Sequence, residues 1–387
     1  MDYANSPPLR ELVERAREIA ATVVARNAER EDAGALWPEP AMRALADAGL
    51  MGLHVPRDLG GHGEGLAGLL AISETLAHES PSTALCYAMH CVGTAVIAAK
   101  ATDHQKQAYL EPIARGRHVT TLALSEPGTG ATFWIPEARL ARGDEGFVVD
   151  GTKSFVTNGG HADSYVVSTA AGPDAEGEGT FSCVVVDADR PGLEWSEPWL
   201  GLGMRANSSR SVRMDAVPLP AEALLGSEGD QLWYVFEVVA PFFLMAMAGT
   251  YAGLAAAAFA EARQHLGTRR HSHTGELLGT NAVLSHRLGE LWIRLESTRR
   301  LVHAAAARAD AGEADALVSV LGCKAAAGDA AVEIANEALT LCGGMGYREN
   351  GKLARLLRDA RASHVMSPTT DILKTWVGRA LLNLPLL

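Results

Sequence analysis

The stretch HQKQAYLEPIARGRHVTTLALSEPGTG, residues 104–130, contains the point at which the chain changes from helical to strand-forming sequence. Up to Gly116 the sequence has the period of a helix, and a glycine there favours the end of that helix. From Val119 onward the apolar runs become short and β-branched. Such runs, split by Gly, Asp, Asn or Pro, are typical of strands and turns. We therefore expect a domain boundary close to residue 118.

The same two patterns divide the rest of the chain. Upstream, LRELVERAREIAATVVARNAE (9–29) repeats apolar residues at helical spacing. Downstream, strand-like runs continue to about residue 225, and long alanine-rich helices follow. At 387 residues the chain is too long for one ordinary core. The sequence predicts an α+β protein with three parts, namely an N-terminal helical domain (1–118), a middle β-domain (119–228) and a C-terminal helical bundle (229–387).

Composition excludes several classes of function. With 34 basic and 46 acidic residues the net charge is −12, which argues against a nucleic-acid-binding protein. The five cysteines are odd in number and form no C-x-x-C pair, so a reducing cytoplasm fits best. His271 and His273 are two residues apart and do not share a helical face, so we predict no metal site.

One apolar stretch has the length of a membrane span. Residues 238–260, VVAPFFLMAMAGTYAGLAAAAFA, carry no charge. Their many small residues, Pro241 and the absence of flanking basic clusters favour a bundle helix that is buried on all sides. The polar N-terminus has no signal-peptide pattern. We predict a cytoplasmic protein that does not span a membrane.

Five segments carry a resemblance to a known family, and no dinucleotide-binding glycine fingerprint competes with it. They are residues 104–130, GTKSFVTNGGHADSYVV (151–167), LGLGMRANSSRSVRMDAVPLPAEALLG (200–226), EIANEALTLCGGMGYRENGKLARLLRDA (333–360) and RDARASHVMSPTTD followed by KTWVGRALL (358–382). In this order and spacing they resemble the acyl-CoA dehydrogenase family of flavoproteins. The resemblance implies an FAD-dependent oxidoreductase whose C-terminal part is a four-helix bundle.

The resemblance also implies which residues hold the FAD. Within the flavin loop LALSEPGTGAT they are Leu124, Ser125 and Gly130, and within FVTNGG they are Phe155, where the family usually has Trp, and Thr157. On residues alone, FVTNGG could equally be a plain strand followed by an Asn-Gly turn.

Further cofactor contacts are implied in the C-terminal part. Gly343 and Gly344 would let the backbone approach the adenine side, and Thr369 would touch the cofactor. Arg269 resembles an arginine that reaches the pyrophosphate of a neighbouring subunit's FAD, with Arg270 as its rival, and Asn281 replaces a nearby glutamine. A homodimer or homotetramer follows if Arg269 crosses between subunits. The alternative interpretation is that Arg269 is a basic residue at the solvent-exposed end of a helix.

The catalytic acid of the family is missing from both of its known positions. The usual glutamate lies in a turn near the C-terminus, and the gapless match places Ser367 there. Some members carry the glutamate on the long buried helix, where this chain has Phe243. Glu237, six residues earlier, points away from that face. A serine hydroxyl cannot replace a carboxylate as base near pH 7 without help from a second base.

Three residues are candidates for the catalytic role, namely Ser367, His364 and His90. His364 lies three residues before the serine, and His90 lies on a helix that lines the substrate tunnel in relatives. Each histidine also has a structural interpretation: His364 as a solvent or hinge residue, and His90 as a hydrogen-bonded helix residue.

Contacts to coenzyme A are also in doubt. Relatives carry an arginine where this chain has about Leu244, and a serine after the flavin loop where it has Ala131 and Thr132. A thioester on a carrier protein, or a substrate that is not a thioester, therefore becomes plausible.

Three functions remain open. The first is dehydrogenation of an acyl thioester, with an electron-transfer partner that reoxidises the flavin. The second is a flavin-dependent monooxygenase that uses O2 and reduced flavin from a reductase. The third is a non-catalytic partner subunit.

Overall fold

The computed structural model describes residues 6–143, 145–171 and 181–386. In these residues helices come first, and the first of them starts at a clear signal: the Ser6 hydroxyl accepts from the Leu9 N–H at 3.2 Å, and Pro7 opens the helix. The helices before the sheet are α1 Pro7–Ile19, α2 Ala25–Gly34, α3 Glu39–Asp47, α4 Leu66–Ala77, α5 Pro81–Ala99, α6 Asp103–Gln105 and α7 Glu111–Ala114. α7 ends just before Gly116, as predicted.

The middle part is one mixed sheet. Its strands are β1 Thr120–Ala123, β2 Arg139–Gly143, β3 Gly146–Val156, β4 Ser164–Ala171, β5 Phe181–Asp187, β6 Leu193–Trp195, β7 Arg210–Pro220 and β8 Leu224–Leu225. Their order is β6-β7-β3-β2-β4-β5-β8, and β1 also pairs with β4.

The connection between β1 and β2 matters most for function. Both strands run parallel to β4 and pair with it at successive positions, β1 at 164–167 and β2 at 170–171. The chain between them, residues 124–138, must therefore leave the sheet and return to it. This excursion is the segment that the resemblance identifies as the flavin loop.

Helices return after the sheet. They are α8 Gln231–Trp233, α9 Ala240–Thr268, α10 Ala282–Asp310, α11 Ala316–Cys342, α12 Lys352–Ala360, α13 Ala362–Val365 and α14 Thr370–Leu381. α9, α10 and α11 are the long helices of the bundle, and α14 packs against α11. The order of helices, strands and helices agrees with the prediction.

Helix α9 is the centre of the helical core. Glycines let it approach α4 closely, because a Cβ at Gly249 would lie 2.4 Å from the Leu70 carbonyl O and one at Gly253 only 2.1 Å from the Glu74 carbonyl O. One continuous apolar core joins the N-terminal helices to the bundle, and the sheet has a second core of its own. Residues of the flavin loop contact the C-terminal helices, since Trp134 packs against Trp376 of α14.

Among the residues that the structure describes, two helical segments are long and apolar enough to cross a membrane. In Pro81–Ala99, 89% of the most apolar window is buried within the protein, and in Gln231–Thr268 the share is 56%. The core helix of a globular protein meets the same criteria of length and composition.

Candidate functional site

The structure brings the two predicted flavin segments side by side. The Ser154 N–H donates to the Ser125 carbonyl O at 2.8 Å, and the Thr121 hydroxyl donates to the Thr157 carbonyl O at 2.9 Å. The Leu124 side chain is buried, whereas Ser125 is half-buried. The start of the flavin loop therefore lies against the end of β3.

A β-bulge turns Phe155 out of the sheet. The register between β3 and β7 shifts between Lys153 and Val156, both of which are buried, while Phe155 is 61% exposed. Its φ of +53° is rare for a bulky residue and costs about 1–3 kcal/mol. Bulges of this kind re-aim a side chain next to a functional site. Phe155 meets the exposed Trp199 edge to face, with ring centroids 5.6 Å apart.

A buried ion pair fixes the base of the flavin loop. The Lys153 ammonium donates to the Glu126 carboxylate, to the Leu124 carbonyl O at 3.3 Å and to the Ser168 carbonyl O at 2.6 Å. The Glu126 carboxylate also accepts from the Ala138 N–H at 3.0 Å, at the far end of the loop. Burial lowers the pKa of Lys153, and the Glu126 charge opposes that shift. This pair was not predicted from the sequence, although a single lysine in the strand-like segment GTKSFVT is a signal for it.

The second flavin segment is also tied to the N-terminal helices. The Trp37 indole N–H donates to the Asn158 Oδ1 at 2.8 Å, and the Asn158 Nδ2 donates to the Cys86 carbonyl O at 2.9 Å. Asn158 is fully buried at a φ of +61°. FVTNGG is thus the end of a strand plus a turn that α5 and the chain before α3 hold in place.

The turn between α13 and α14 places Ser367 against the flavin loop. The Ser367 hydroxyl donates to the Ala131 carbonyl O at 3.5 Å. An aromatic cluster lies beside this contact, since the Trp134 ring centroid is 5.6 Å from that of Trp376 and 6.1 Å from that of Phe236. This cluster was not predicted from the sequence. It links the flavin loop to α14 and to the segment before α9.

His364 is paired on the side of α11. Its Nε2 lies 3.2 Å from the Asp329 Oδ1, and its Nδ1 lies 3.0 Å from the Arg361 guanidinium. Lys374 contacts the other Asp329 oxygen at 2.8 Å. These contacts do not include Ser367, so they give no support to a serine–histidine pair.

His90 is fully buried with both ring nitrogens occupied. The Thr120 N–H donates to the His90 Nδ1 at 3.2 Å, so the proton is on Nε2, which donates to the Met51 carbonyl O at 3.0 Å. No ring atom is left to meet a substrate. We therefore assign His90 the structural role that was the alternative in the sequence, because it joins α5 to β1.

The stability of the protein should depend on pH through His90. Burial lowers the pKa of His90 to about 4, whereas the unfolded chain binds its proton near 6.5. The folded state therefore loses stability as the pH falls from 6.5 towards 4, on the order of 2 kcal/mol at pH 5. Urea unfolding at pH 7 and pH 5 measures this loss.

The variant His90→Gln should show a flatter dependence on pH, while His286→Gln, at an exposed position, should keep the wild-type slope. An unchanged slope in His90→Gln would contradict the assignment. Burial also lowers the pKa of His54 to about 4. His54 should therefore account for part of the pH dependence of stability that remains in His90→Gln.

Helix α9 has Phe243 and Leu244 at the two positions where the resemblance implies an acid and an arginine in relatives. Phe243 is half-buried, and Leu244 is 1% exposed within the apolar core. Phe242, next to them, packs its ring edge against His54, with centroids 4.8 Å apart.

Arg269 and Asn281 lie on the exposed connection between α9 and α10. Arg269 ends α9, and the Asn281 side chain accepts from the first N–H groups of α10, at Val283 and Leu284. Within the described chain their hydrogen bonds are all local. None of these hydrogen bonds connects Arg269 or Asn281 to Ser125 or Phe155 of the same subunit.

The remaining predicted cofactor residues are three glycines with free space beside their backbone and one threonine that caps a helix. A Cβ at Gly130, Gly343 or Gly344 would meet no atom within 4 Å, and φ is positive at Gly130 and Gly343. The Thr369 hydroxyl accepts from the Ile372 N–H at 3.4 Å and so caps α14.

The residues around the flavin loop fit a flavin dinucleotide. Phe155 and Trp199 form an exposed aromatic surface, and the Ser125 and Thr157 side chains lie at the adjoining ends of the two segments. Open backbone at Gly130 leaves room for close approach of a ligand. When bound, FAD would be held by these groups.

Three family models match almost the whole chain. The acyl-CoA dehydrogenase N-terminal domain matches residues 6–117, the middle domain residues 121–217 and the C-terminal domain residues 243–382. These ranges follow the helical, β and helical parts of the structure.

Individual relatives agree with the family models. A cyclohex-1-ene-1-carbonyl-CoA dehydrogenase from Geobacter metallireducens is 28% identical over 95% of this chain and 96% of its own length. A probable acyl-CoA dehydrogenase from Mycobacterium leprae is 27% identical over 95% and 93%. The structure of butyryl-CoA dehydrogenase from Megasphaera elsdenii, at 24% identity, shares the fold with a TM-score of 0.91 over 99% of this chain and 100% of that one. The chain therefore belongs to the acyl-CoA dehydrogenase family, and it is an FAD-dependent oxidoreductase as its motifs predicted.

Proposed function

We propose that this protein dehydrogenates an acyl thioester, with Ser367 at the position of the usual carboxylate base. The observation that carries the proposal is the contact of the Ser367 hydroxyl with the Ala131 carbonyl O of the flavin loop. This contact supports the proposal because it puts the Ser367 side chain beside the flavin loop.

The chemistry requires a proton acceptor beside the flavin. Dehydrogenation removes a proton from the α-carbon and a hydride from the β-carbon, and bound FAD would supply the hydride acceptor. Because the Ser367 hydroxyl donates to Ala131, its lone pairs can accept a hydrogen bond from substrate or water. A neutral hydroxyl is a far weaker base than a carboxylate, so the wild-type protein should turn over slowly with ordinary thioesters.

The acyl group is proposed to arrive on a carrier protein as readily as on coenzyme A. Buried Leu244 cannot supply the positive charge of the family's arginine. Ala131 has no hydroxyl, and the Thr132 hydroxyl donates to the Thr129 carbonyl O at 2.6 Å. Beside Ala131, the half-buried Trp134 occupies the junction between the flavin loop and α14. The protein would then recognise the acyl chain and the pantetheine arm, which both kinds of thioester share.

The test is reduction of the flavin by substrate without oxygen. The same acyl chain is offered on coenzyme A, on free pantetheine and on a carrier protein, and the flavin absorbance is followed. Bleaching by any thioester supports dehydrogenation, and equal rates for coenzyme A and pantetheine support the loss of the nucleotide contacts. Flavin that stays oxidised with every thioester would contradict the proposal.

A monooxygenase is the second candidate, because both known base positions lack a carboxylate. The acid in the flavin loop, Glu126, is already engaged by Lys153 and by backbone N–H groups. This function predicts product only when a flavin reductase, reduced flavin and oxygen are added. Protein that binds no FAD would count against both the dehydrogenase and the monooxygenase.

We also propose that the protein is a homodimer or homotetramer. Arg269 is exposed and makes only local contacts, as expected for a side chain that serves a neighbouring subunit. Helix α10 presents large apolar residues to solvent, with Val283 65%, Trp292 50% and Ile293 61% exposed. Light scattering that gives the mass of one chain would refute this proposal.

A further inference from the structure

A single buried lysine lies beneath the turn that carries Ser367. Lys324, in the middle of α11, is 1% exposed. Its ammonium donates to the carbonyl O of Met366 and of Pro368, both at 2.6 Å, and to that of Ser363 at 3.5 Å. The two short contacts are to the residues immediately before and after Ser367.

No carboxylate balances this charge. Among the described residues, Lys324 has no acidic side chain within ion-pairing distance, in contrast to Lys153, which has Glu126. Burial lowers the pKa of Lys324 to about 7. A buried cation without a counter-charge is costly for the fold, and such positions are concentrated at functional sites.

We propose that Lys324 is the positioning residue of this turn, fixing the backbone on both sides of position 367 so that its side chain faces the flavin loop. The inference deepens the proposed function and rests on it for its catalytic consequence. Carbonyl groups that accept from one rigidly packed ammonium cannot rotate independently. The direction of the Cα–Cβ bond at residue 367 is thereby fixed.

Helix α11 contributes a second contact to the same turn, one helical turn beyond Lys324. A Cβ at Gly328 would lie 2.9 Å from the Ser363 Cβ, and the Ser363 hydroxyl donates to the Gly328 carbonyl O at 3.3 Å. The Thr370 hydroxyl donates to the Ser363 carbonyl O, also at 3.3 Å. The backbone on both sides of residue 367 is thus seated on one face of α11.

The experiment compares three variants. Lys324→Met keeps an apolar stem of similar length but removes every donor, and Lys324→Gln retains two N–H donors without the charge. Lys352→Met is the matched control, since Lys352 is a partly buried lysine of the same helical region that pairs with Glu79 at 2.9 Å. For each variant, hydrogen exchange of residues 362–370, flavin content and flavin reduction by thioester are measured, the last also in a Ser367→Glu background.

We expect Lys324→Met to raise exchange in residues 362–370 by about tenfold or more, with a smaller rise in Lys324→Gln and none in Lys352→Met. In the Ser367→Glu background, Lys324→Met should lower kcat by about 100-fold with little change in the half-saturation constant, because a small displacement of the base affects the chemical step.

Wild-type exchange in Lys324→Met would overturn the inference, as would an equal loss of kcat in Lys352→Met. If Lys324→Met fails to fold, Lys324→Gln decides by the same measurements. Increased exchange together with no thioester oxidation by any variant would refute the proposed function. The inference that Lys324 fixes the backbone of the turn would still stand.

Discussion

Replacing Ser367 by glutamate should raise the rate of anaerobic flavin reduction by an acyl thioester by about 10²–10⁴-fold, the usual contribution of a well-placed general base. Glutamate extends the side chain beyond the serine hydroxyl, which already contacts the Ala131 carbonyl O. Lys324 holds the backbone on both sides, so the new carboxylate should adopt a defined direction.

The surroundings of residue 367 favour a useful base. The Ala131 carbonyl oxygen disfavours a negative charge and should raise the pKa of an introduced carboxyl group, whereas the Lys324 ammonium beneath the turn opposes that rise. A base whose pKa is near the working pH is the most effective one. A rate that increases with pH and levels off near neutrality would support this account.

The variant Ser367→Gln is the control, since it has the size of glutamate but cannot accept the proton. It should remain as slow as the wild-type protein, as should Ser367→Ala. If Ser367→Glu folds, keeps its flavin and still fails to bleach, the cleft does not admit a thioester in the family's pose. The monooxygenase proposal would then be favoured.

Replacing Lys153 by methionine should destabilise the protein by about 3–5 kcal/mol and release its flavin. The change leaves the Glu126 carboxylate buried without its cation and removes the donor to the Leu124 and Ser168 carbonyl groups. Since Glu126 also holds the Ala138 N–H, both ends of the flavin loop lose their common anchor. Urea unfolding gives the stability, and the flavin absorbance of the purified protein gives the occupancy.

A second substitution separates the lost pair from simple loss of packing. In Lys153→Met combined with Glu126→Gln the uncompensated charge is absent, and the amide can still accept from the Ala138 N–H. The double variant should recover a large part of the stability lost in Lys153→Met. If both variants are equally unstable, the damage comes from the missing lysine contacts and not from the buried charge.

The sequence predicted the parts of the site that lie in continuous segments. The flavin loop and FVTNGG were identified as partners, and the structure joins them through the Ser154–Ser125 hydrogen bond. Ser367 was predicted from the gapless match to the family's pattern, and in the structure its hydroxyl contacts the flavin loop. His90 was left with two interpretations, which its hydrogen bonds to Met51 and Thr120 distinguish.

The residues that the sequence did not reveal act across long separations. Lys153 and Glu126 are 27 positions apart, and Lys324 reaches carbonyl groups 42 and 44 positions away. Each appears in its own segment as one charge in an apolar run. Local sequence patterns do not show which distant group pairs with such a charge and stabilises it.

By itself, the sequence determined the order of helical, β and helical parts and the family to which the chain belongs. These properties depend on local periodicity and on motif spacing, which a linear chain displays directly. Only the tertiary structure decided which polar groups are buried together, that β1 and β2 share one edge of β4, and that α11 supports the turn of Ser367. Burial and hydrogen-bond pairing are properties of segments distant in sequence, so they exist only once the chain has folded.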